Sequence, residues 1–218
     1  MAVEVARATS ARRELVLRRR DDDALELRVN GVFVMDTAET STERALAAAA
    51  LRLTCPARVL VGGLGLGFTT AELLADHRVR EVLVAEIEPG VVQWMIDGTV
   101  PHGPRILSDA RVNVRVADVR EVVEAQQHGS LDAILLDVDN GPDFLVLDEN
   151  ASLYQHAFLR TCLGRLRAGG ALLIWSSTRS DALERAVTAA AGTWTVDVHD
   201  VDLAGRAETY SVYSARRL

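Results

Sequence analysis

Short runs of apolar residues alternate with longer amphipathic stretches over most of the chain. The strand-like runs lie at residues 59–61, 82–85, 112–116, 133–136 and 171–175. The stretches between them have the 3.6-residue spacing of amphipathic helices, and we place helices at residues 69–77, 91–96, 119–127, 153–166 and 181–191. Strands that alternate with helices predict a doubly wound α/β fold, with a mostly parallel sheet covered by helices on both faces.

Turn and cap residues mark the N-terminal side of this repeat. Residues 14–35 have the alternation typical of strands, and Asn30-Gly31 is a hairpin turn signal. Residues 40–43 (Thr-Ser-Thr-Glu) offer helix N-caps before an Ala-rich run. We therefore predict a short hairpin and helix appendage, residues 1–53, ahead of a main domain at residues 54–218.

The C-terminal side of the repeat predicts an antiparallel end to the sheet. Gly169 and Gly170 follow the helix predicted at residues 153–166 and indicate its end, in the manner of a C-cap. Residues 193–198 and 209–215 are two further strand-like runs, joined by a turn at Ala204-Gly205. With the five earlier runs they predict seven strands in the main sheet.

Composition and charge narrow the classes of function. Of 218 residues, 49% are hydrophobic and 25% charged, which is ordinary for a globular domain. The formal net charge is −7 and the chain has no lysine, so a Schiff-base or P-loop lysine is excluded and nucleic acid is not an expected partner.

Three further features bear on location and metals. No apolar run approaches the roughly 20 residues that a membrane helix needs, and residues 1–20 lack the apolar stretch of a signal peptide. We therefore expect a cytoplasmic protein without a membrane segment. Cys55 and Cys162 are far apart and lack a histidine at zinc-ligand spacing, so we expect free thiols and no metal.

A glycine-rich loop follows the first strand of the repeat. Gly62, Gly63, Gly65 and Gly67 stand between that strand and the next helix. Glycines at this position allow a tight turn and let a ligand approach backbone N–H groups at the helix N-terminus. A loop of this kind serves NAD, FAD or S-adenosylmethionine equally well, and by itself it does not identify the cofactor.

Carboxylates follow the next three strands of the repeat. Glu86 ends the second strand, Asp118 follows the third and Asp137 follows the fourth. The carboxyl ends of parallel strands share one edge of the sheet, where open α/β folds bind ligands. Glu86 stands roughly 20 residues after the glycines, where an acid binds ribose hydroxyls. Any one of these acids could instead cap a helix, but the three together favour a ligand site at this edge.

The motifs between residues 27 and 175 resemble those of the spermidine synthase family, within the class I S-adenosylmethionine-dependent methyltransferase fold. Gly62-Gly63 resembles the family's glycine loop, Glu86-Ile87-Glu88 its "EID" stretch and Asp118 the Asp of its "GD". The remaining motifs are residues 27–32 (LRVNGV) for "LDG", 132–137 (DAILLD) for "DVII.D", Gly141-Pro142 for "GP", and 152–170 for "LY...F......L.pGG".

This resemblance implies a transferase that moves an aminopropyl or related alkyl group from a sulfonium cofactor to a small amine. The cofactor would be S-adenosylmethionine or its decarboxylated form, and a homodimer is implied. The second-strand acid would bind ribose, the third-strand acid adenine, and the first Asp of a D-x-x-D loop would accept a proton from the amine. The implied cofactor-binding residues are Gly62, Gly63, Gly65, Gly67, Glu86, Ile87, Asp118, Val119 and Asp137. The implied catalytic residues are Asp137 and Asp139, and the implied acceptor-binding residues are Asp139, Asn140 and Tyr154.

Departures from the family pattern leave alternatives open. Val34 stands where the family has a Gln after its hairpin motif, and the family's Tyr beyond it falls near Glu43. The loop after the fourth strand reads Asp137-Val138-Asp139-Asn140 instead of D-x-x-D, so either Asp139 or Asn140 takes the second place. The glycine loop lacks the acid that, in the family, contacts the aminopropyl chain. This lack favours a methyltransferase that uses the intact cofactor, while the altered loop also permits a homologue that binds the cofactor without turnover.

Overall fold

A computed structural model describes residues 2–10, 13–145, 148–203 and 205–218. The N-terminal part forms a four-stranded antiparallel sheet with its strands in sequence order. These strands are β1 (Val3–Thr9), β2 (Glu14–Arg19), β3 (Leu25–Val29) and β4 (Val32–Asp36). Asn30 and Gly31 both have positive φ, as a two-residue hairpin loop between β3 and β4 requires. The predicted hairpin is confirmed, and β1 adds a strand that the sequence pattern did not reveal.

The main sheet has seven strands in the order β10-β11-β9-β8-β5-β6-β7. Its strands are β5 (Arg58–Gly62), β6 (Glu81–Glu86), β7 (Val112–Val116), β8 (Leu131–Leu136), β9 (Leu166–Ser176), β10 (Trp194–Leu203) and β11 (Arg206–Arg216). β5 to β9 are parallel, whereas β11 pairs antiparallel with both β9 and β10. The predicted mostly parallel sheet with an antiparallel C-terminal hairpin is therefore confirmed. Ala204, in the predicted turn of that hairpin, lies outside the described residues.

Helices cover both faces of this sheet. They are α1 (Ser41–Thr54), α2 (Phe68–Ala75), α3 (Pro89–Asp97), α4 (Gly103–Leu107), α5 (Val119–Glu124), α6 (His156–Arg165) and α7 (Asp181–Ala191). Val59 and Val61 of β5 face the core under α1 to α4, and Leu60 faces the core under α5 to α7. None of the helices in the described residues is long and apolar enough to cross a membrane.

The order of the strands places a crevice at the carboxyl end of β5. The chain passes from β5 to β6 on one side and later enters β8 on the other side of β5. The connections that follow β5 and β8 therefore diverge at this point, which is where open α/β sheets bind their ligands.

The predicted helix at residues 153–166 and its glycine cap are wrong in detail. Residues Asp148–Tyr154 form a 3₁₀ helix, and α6 begins only at His156. Gly169 and Gly170 lie within β9 and exchange backbone hydrogen bonds with Arg217 beyond the last strand, at 2.8 and 2.9 Å. A Cβ on Gly170 would stand 3.0 Å from two backbone oxygens. These glycines thus allow close strand contacts and do not cap a helix.

Candidate active site

A cleft of about 1100 Å³, part of it open to solvent, lies at the carboxyl ends of β5, β6 and β8. The N-terminal sheet forms one of its walls, through Leu15, Leu27, Val29, Val34 and Met35. The predicted site residues on its lining are Gly63, Gly65, Glu86, Ile87, Asp118, Val119, Asp137, Asp139 and Asn140. The structure thus brings the three strand-end carboxylates into one cavity.

Gly63 and Gly65 line the cleft, and both have positive φ. A Cβ on Gly63 would collide with the backbone carbonyl oxygen of Asp137, so only glycine lets the loops after β5 and β8 approach this closely. A Cβ on Gly65 would stand 2.6 Å from the sulfur of Met35. The N-terminal sheet therefore covers the glycine loop, which lacks the acid of the family pattern.

Gly62 and Gly67 serve the packing behind the loop. Gly62 lies against Val119, whose Cγ2 would be 2.7 Å from an added Cβ. Gly67 is the N-cap of α2 in a left-handed conformation and lies against Met95 and Ile106. Neither glycine lines the cleft.

Glu86 is buried at the end of β6 and accepts a hydrogen bond from the backbone of the glycine loop. Its two carboxylate oxygens accept hydrogen bonds from the backbone N–H groups of Leu64 and Glu88, each at 2.8 Å. Burial raises the pKa of Glu86 above its ordinary value despite these bonds. A carboxylate offers about four acceptor positions, so both oxygens retain capacity to accept from ribose hydroxyls.

Asp118 caps α5 and forms an ion pair with Arg120. Its Oδ1 accepts from the backbone N–H of Arg120 at 2.8 Å and from the guanidinium at 2.9 Å. Burial alone would raise the pKa of Asp118, but the hydrogen bonds and charge of Arg120 outweigh burial and lower it. Arg120 also donates to Ser152 Oγ at 2.7 Å, which ties the third-strand acid to the loop after β8.

Asp137 follows β8 and enters the cleft from the opposite side to Glu86. Its Oδ2 accepts a hydrogen bond from Thr69 Oγ1 at 2.7 Å. Burial raises the pKa of Asp137 to about 6, and the bond from Thr69 opposes the rise. No arginine forms an ion pair with Asp137 in the described part of the chain, which sets it apart from Asp118.

Glu43 is a cleft residue that was not among the predicted site residues. The Thr40–Glu43 motif suggested a capping role, yet Thr40 makes no side-chain capping hydrogen bond at α1. Glu43, 8% exposed, lines the cleft and accepts from Thr42 Oγ1 at 3.0 Å. Burial, and after it the negative charge of Asp137, raises the pKa of Glu43 to about 7.

The loop after β8 is held by its own polar side chains. Asp139 accepts from the backbone N–H of Asn140 at 2.8 Å and from the side-chain amide of Asn150 at 2.7 Å. Asn140 in turn donates to the Phe33 carbonyl at 3.3 Å, which links this loop to the N-terminal sheet. Tyr154 is buried behind the loop, beside a separate surface depression, and does not line the cleft.

The cleft has features that fit a nucleoside near Glu86. Glu88 is buried and pairs with Arg13 of the N-terminal part at 2.8 Å. Its other carboxylate oxygen, Oε2, is buried without a hydrogen-bond partner among the residues that the structure describes. Ile87 between the two acids is 42% exposed and lines the cleft. Acceptor oxygens beside an exposed apolar side chain suit ribose hydroxyls and a flat base.

Comparison with known proteins finds an aminopropyltransferase and several N-methyltransferases. No family model matches the chain. Polyamine aminopropyltransferase 2 of Hyperthermus butylicus is 32% identical over 123 residues, which are 55% of this chain and 38% of that protein. Putrescine N-methyltransferase 3 of Nicotiana tabacum is 31% identical over 117 residues, 53% of this chain and 29% of that protein. The matched segments thus span about a third of the length of these curated relatives.

Solved structures match over nearly the whole chain. A spermidine synthase in complex with the transition state analogue AdoDATO has a TM-score of 0.82 and 16% identity, over 99% of this chain and 74% of that one. The spermidine synthase of Thermotoga maritima has a TM-score of 0.80 and 17% identity, over 99% and 73% of the two chains. The resemblance to the spermidine synthase family is therefore confirmed, in fold over the whole chain and in sequence over about half of it.

Proposed function

We propose that this chain, which has the spermidine synthase fold, transfers an aminopropyl or related alkyl group from a sulfonium cofactor to an amine. The observation that carries the proposal is the position of Asp137. This carboxylate lies in the same cleft as Glu86 and Asp118 and, unlike Asp118, has no arginine partner in the described residues, and burial raises its pKa to about 6. The activity named for the similar proteins supports the same reaction class.

Glu86 and Asp118 would hold the nucleoside part of the cofactor. We assign the ribose hydroxyls to the free acceptor positions of Glu86. We assign the adenine amino group to Asp118, whose carboxylate keeps lone pairs beyond those bound by Arg120. Ile87 and Val119 would contact the base, and Gly63 and Gly65 would border the sulfonium end.

Asp137 would act on the acceptor amine. When bound, the cofactor supplies a carbon made electrophilic by the adjacent sulfonium and a neutral thioether as leaving group. An amine must be neutral to attack, although its ordinary pKa, near 10, keeps it protonated at pH 7. Asp137 first attracts the ammonium group and then accepts its proton, and a base with a pKa near 6 suits that transfer at neutral pH.

Methyl transfer from intact S-adenosylmethionine is a second candidate, favoured by one specific observation. The glycine loop carries no acid, and the sulfur of Met35 lies over Gly65 and accepts from the Leu66 N–H at 3.2 Å. This apolar cover gives no protein carboxylate to bind the amine of a decarboxylated cofactor. It also gives none that would repel the carboxylate of intact S-adenosylmethionine. Similarity to putrescine N-methyltransferases supports the same candidate.

The further elements of the proposal concern the whole protein. We propose that residues 1–53 supply a wall of the cleft and residues 54–218 the catalytic domain. We also propose a cytoplasmic homodimer that acts on small amines and not on nucleic acid. Size-exclusion chromatography with light scattering would test the dimer.

Ligand binding and one variant test the reaction. Thermal unfolding should be measured with S-adenosylmethionine, its decarboxylated form, methylthioadenosine and S-adenosylhomocysteine. Preference for the decarboxylated cofactor and methylthioadenosine supports aminopropyl transfer, and preference for the other two supports methyl transfer. Asp137→Asn should abolish turnover of amines while nucleoside binding survives. Binding without turnover of any amine in the unaltered chain would instead indicate an inactive homologue, and unchanged turnover in the variant would remove Asp137 from the mechanism.

A further inference from the structure

We propose that Glu43, from α1, is the second carboxylate of the acceptor subsite and that it binds the cationic amine together with Asp137. This inference rests on the proposed function and gives a role to a residue that was not among the predicted site residues. Both side chains line the same cleft. Thr69 lies between them, with its hydroxyl 2.7 Å from Asp137 Oδ2 and 3.4 Å from the backbone oxygen of Glu43.

The protein provides no cation for either carboxylate within the described residues. Arg44, the residue next to Glu43, instead pairs with Glu72 at 3.1 Å and lies over the Phe68 ring at 5.4 Å. Removing an ionised carboxylate from water without a cationic partner is costly, even where a hydroxyl donates to it. Two such groups in one cavity therefore form a site that an external cation would complete.

Aromatic side chains supply the apolar part of the same subsite. Trp175, 7% exposed, lines the cleft, and its indole N–H is buried without an acceptor among the described residues. Its ring packs edge-on against Tyr210 at 4.9 Å, and Phe68 lines the cleft as well. Carboxylates beside aromatic rings match an alkylamine, whose methylene groups pack on the rings while its ammonium group contacts the acids.

Asp139 is less suited to the second position than the sequence motif suggested. One of its oxygens accepts from the Asn140 backbone and the other from the Asn150 side chain, so this carboxylate fastens its own loop. In the described part of the chain, Glu43 accepts hydrogen bonds from the hydroxyl of its neighbour Thr42 and from its own backbone, and these bonds do not fix a loop. Because the loop reads D-x-D-N instead of D-x-x-D, the second negative charge for the amine would come from Glu43 on α1.

The charged groups around Glu43 set the pH dependence of amine binding. Asp137 and Glu39 are the acids that act on it. Burial, and after it the charge of Glu43, raises the pKa of Tyr210 on β11 to about 12. With a pKa of about 7 for Glu43, the site carries protons at pH 6–7 that a cation displaces. Amine binding should therefore release protons in this range, and amine affinity should rise with pH across it.

The experiment compares Glu43→Gln and Glu43→Asp with Glu124→Gln, which alters an exposed acid on α5 away from the cleft. The probes are putrescine, cadaverine, 1,3-diaminopropane and spermidine, each assayed with the cofactor that the unaltered chain uses. Calorimetry in two buffers of different ionisation enthalpy measures the protons released. Nucleoside affinity is measured in parallel.

We expect Glu43→Gln to raise the amine KM by about 10- to 100-fold, the cost of losing a hydrogen bond between charged groups. Proton release should fall, nucleoside affinity should stay unchanged, Glu43→Asp should recover part of the KM, and Glu124→Gln should change nothing. An unchanged KM and proton release in Glu43→Gln, with normal turnover in the unaltered chain, would overturn this inference alone. If the unaltered chain binds nucleosides but neither binds nor converts an amine, the proposed function fails and the inference fails with it.

Discussion

Replacing Glu43 by Gln should stabilise the folded chain at pH 8, because the wild-type carboxylate is buried beside a second acid. Its pKa is about 7 in the folded chain against 4.5 for the ordinary group. A pKa difference of this size corresponds to about 3 kcal/mol of unfolding free energy. The pKa is raised on folding, so the destabilisation is absent below pH 4.5, grows as the pH rises to 7 and is complete above 7.

The assay is urea denaturation of the wild-type chain and Glu43→Gln at pH 4, 6 and 8, without ligands. The two free energies of unfolding should coincide at pH 4, because the wild-type carboxyl is then protonated in both states and resembles the neutral amide. At pH 8 the variant should exceed the wild type by about 3 kcal/mol. A variant that is less stable at pH 8, or one whose advantage is the same at pH 4, would refute the reasoning that the cleft holds an unpaired, buried charge.

Two further predictions concern the cofactor side of the cleft. Gly63→Ala should cost at least about 3 kcal/mol, since its Cβ would collide with the Asp137 carbonyl. Gly192→Ala, also at positive φ but with open space around it, should cost only about 1–2 kcal/mol, and equal losses in urea denaturation would contradict the proposed close contact. Glu86→Ala should weaken binding of S-adenosylhomocysteine by about 1–3 kcal/mol, and titration calorimetry that shows no loss in a folded variant would remove Glu86 from the nucleoside site.

The fold could be predicted because its determinants are local in sequence. Each buried strand is a short apolar run, and each acid stands at or just after the end of its strand. Glu86, Asp118 and Asp137 therefore lie at one edge of the sheet, irrespective of the length and position of the connecting helices. The error at Gly169 and Gly170 has the opposite origin. Their conformation is set by hydrogen bonds to Arg217, nearly fifty residues later, and no local pattern distinguishes such a strand contact from a helix cap.

Partners of the site residues were harder to predict than their positions. Asp118 is bound by Arg120, a contact two residues away that the sequence contained but that the pattern of strands and helices did not indicate. The cleft position of Glu43 was not predicted for a different reason. An acid in the first turn of a helix is sufficiently explained by capping of that helix. The tertiary packing of α1 places Glu43 beside Thr69 and in the cleft, and the local sequence does not show this packing.

The contrast between Asp118 and the pair Glu43–Asp137 assigns different chemistry to the two ends of the cleft. Asp118 is paired with Arg120, and Glu86 accepts hydrogen bonds from two backbone N–H groups, so that end presents oriented hydrogen-bond acceptors for a nucleoside. At the other end, no arginine forms an ion pair with Glu43 or Asp137 among the described residues. Their raised pKa values favour the protonated form of each carboxyl group. A cation entering there gains both carboxylates and releases protons on arrival, while a neutral analogue gains neither. Under the proposed function, the cofactor would be recognised by shape and hydrogen bonds at one end of the cleft, and the amine by charge at the other.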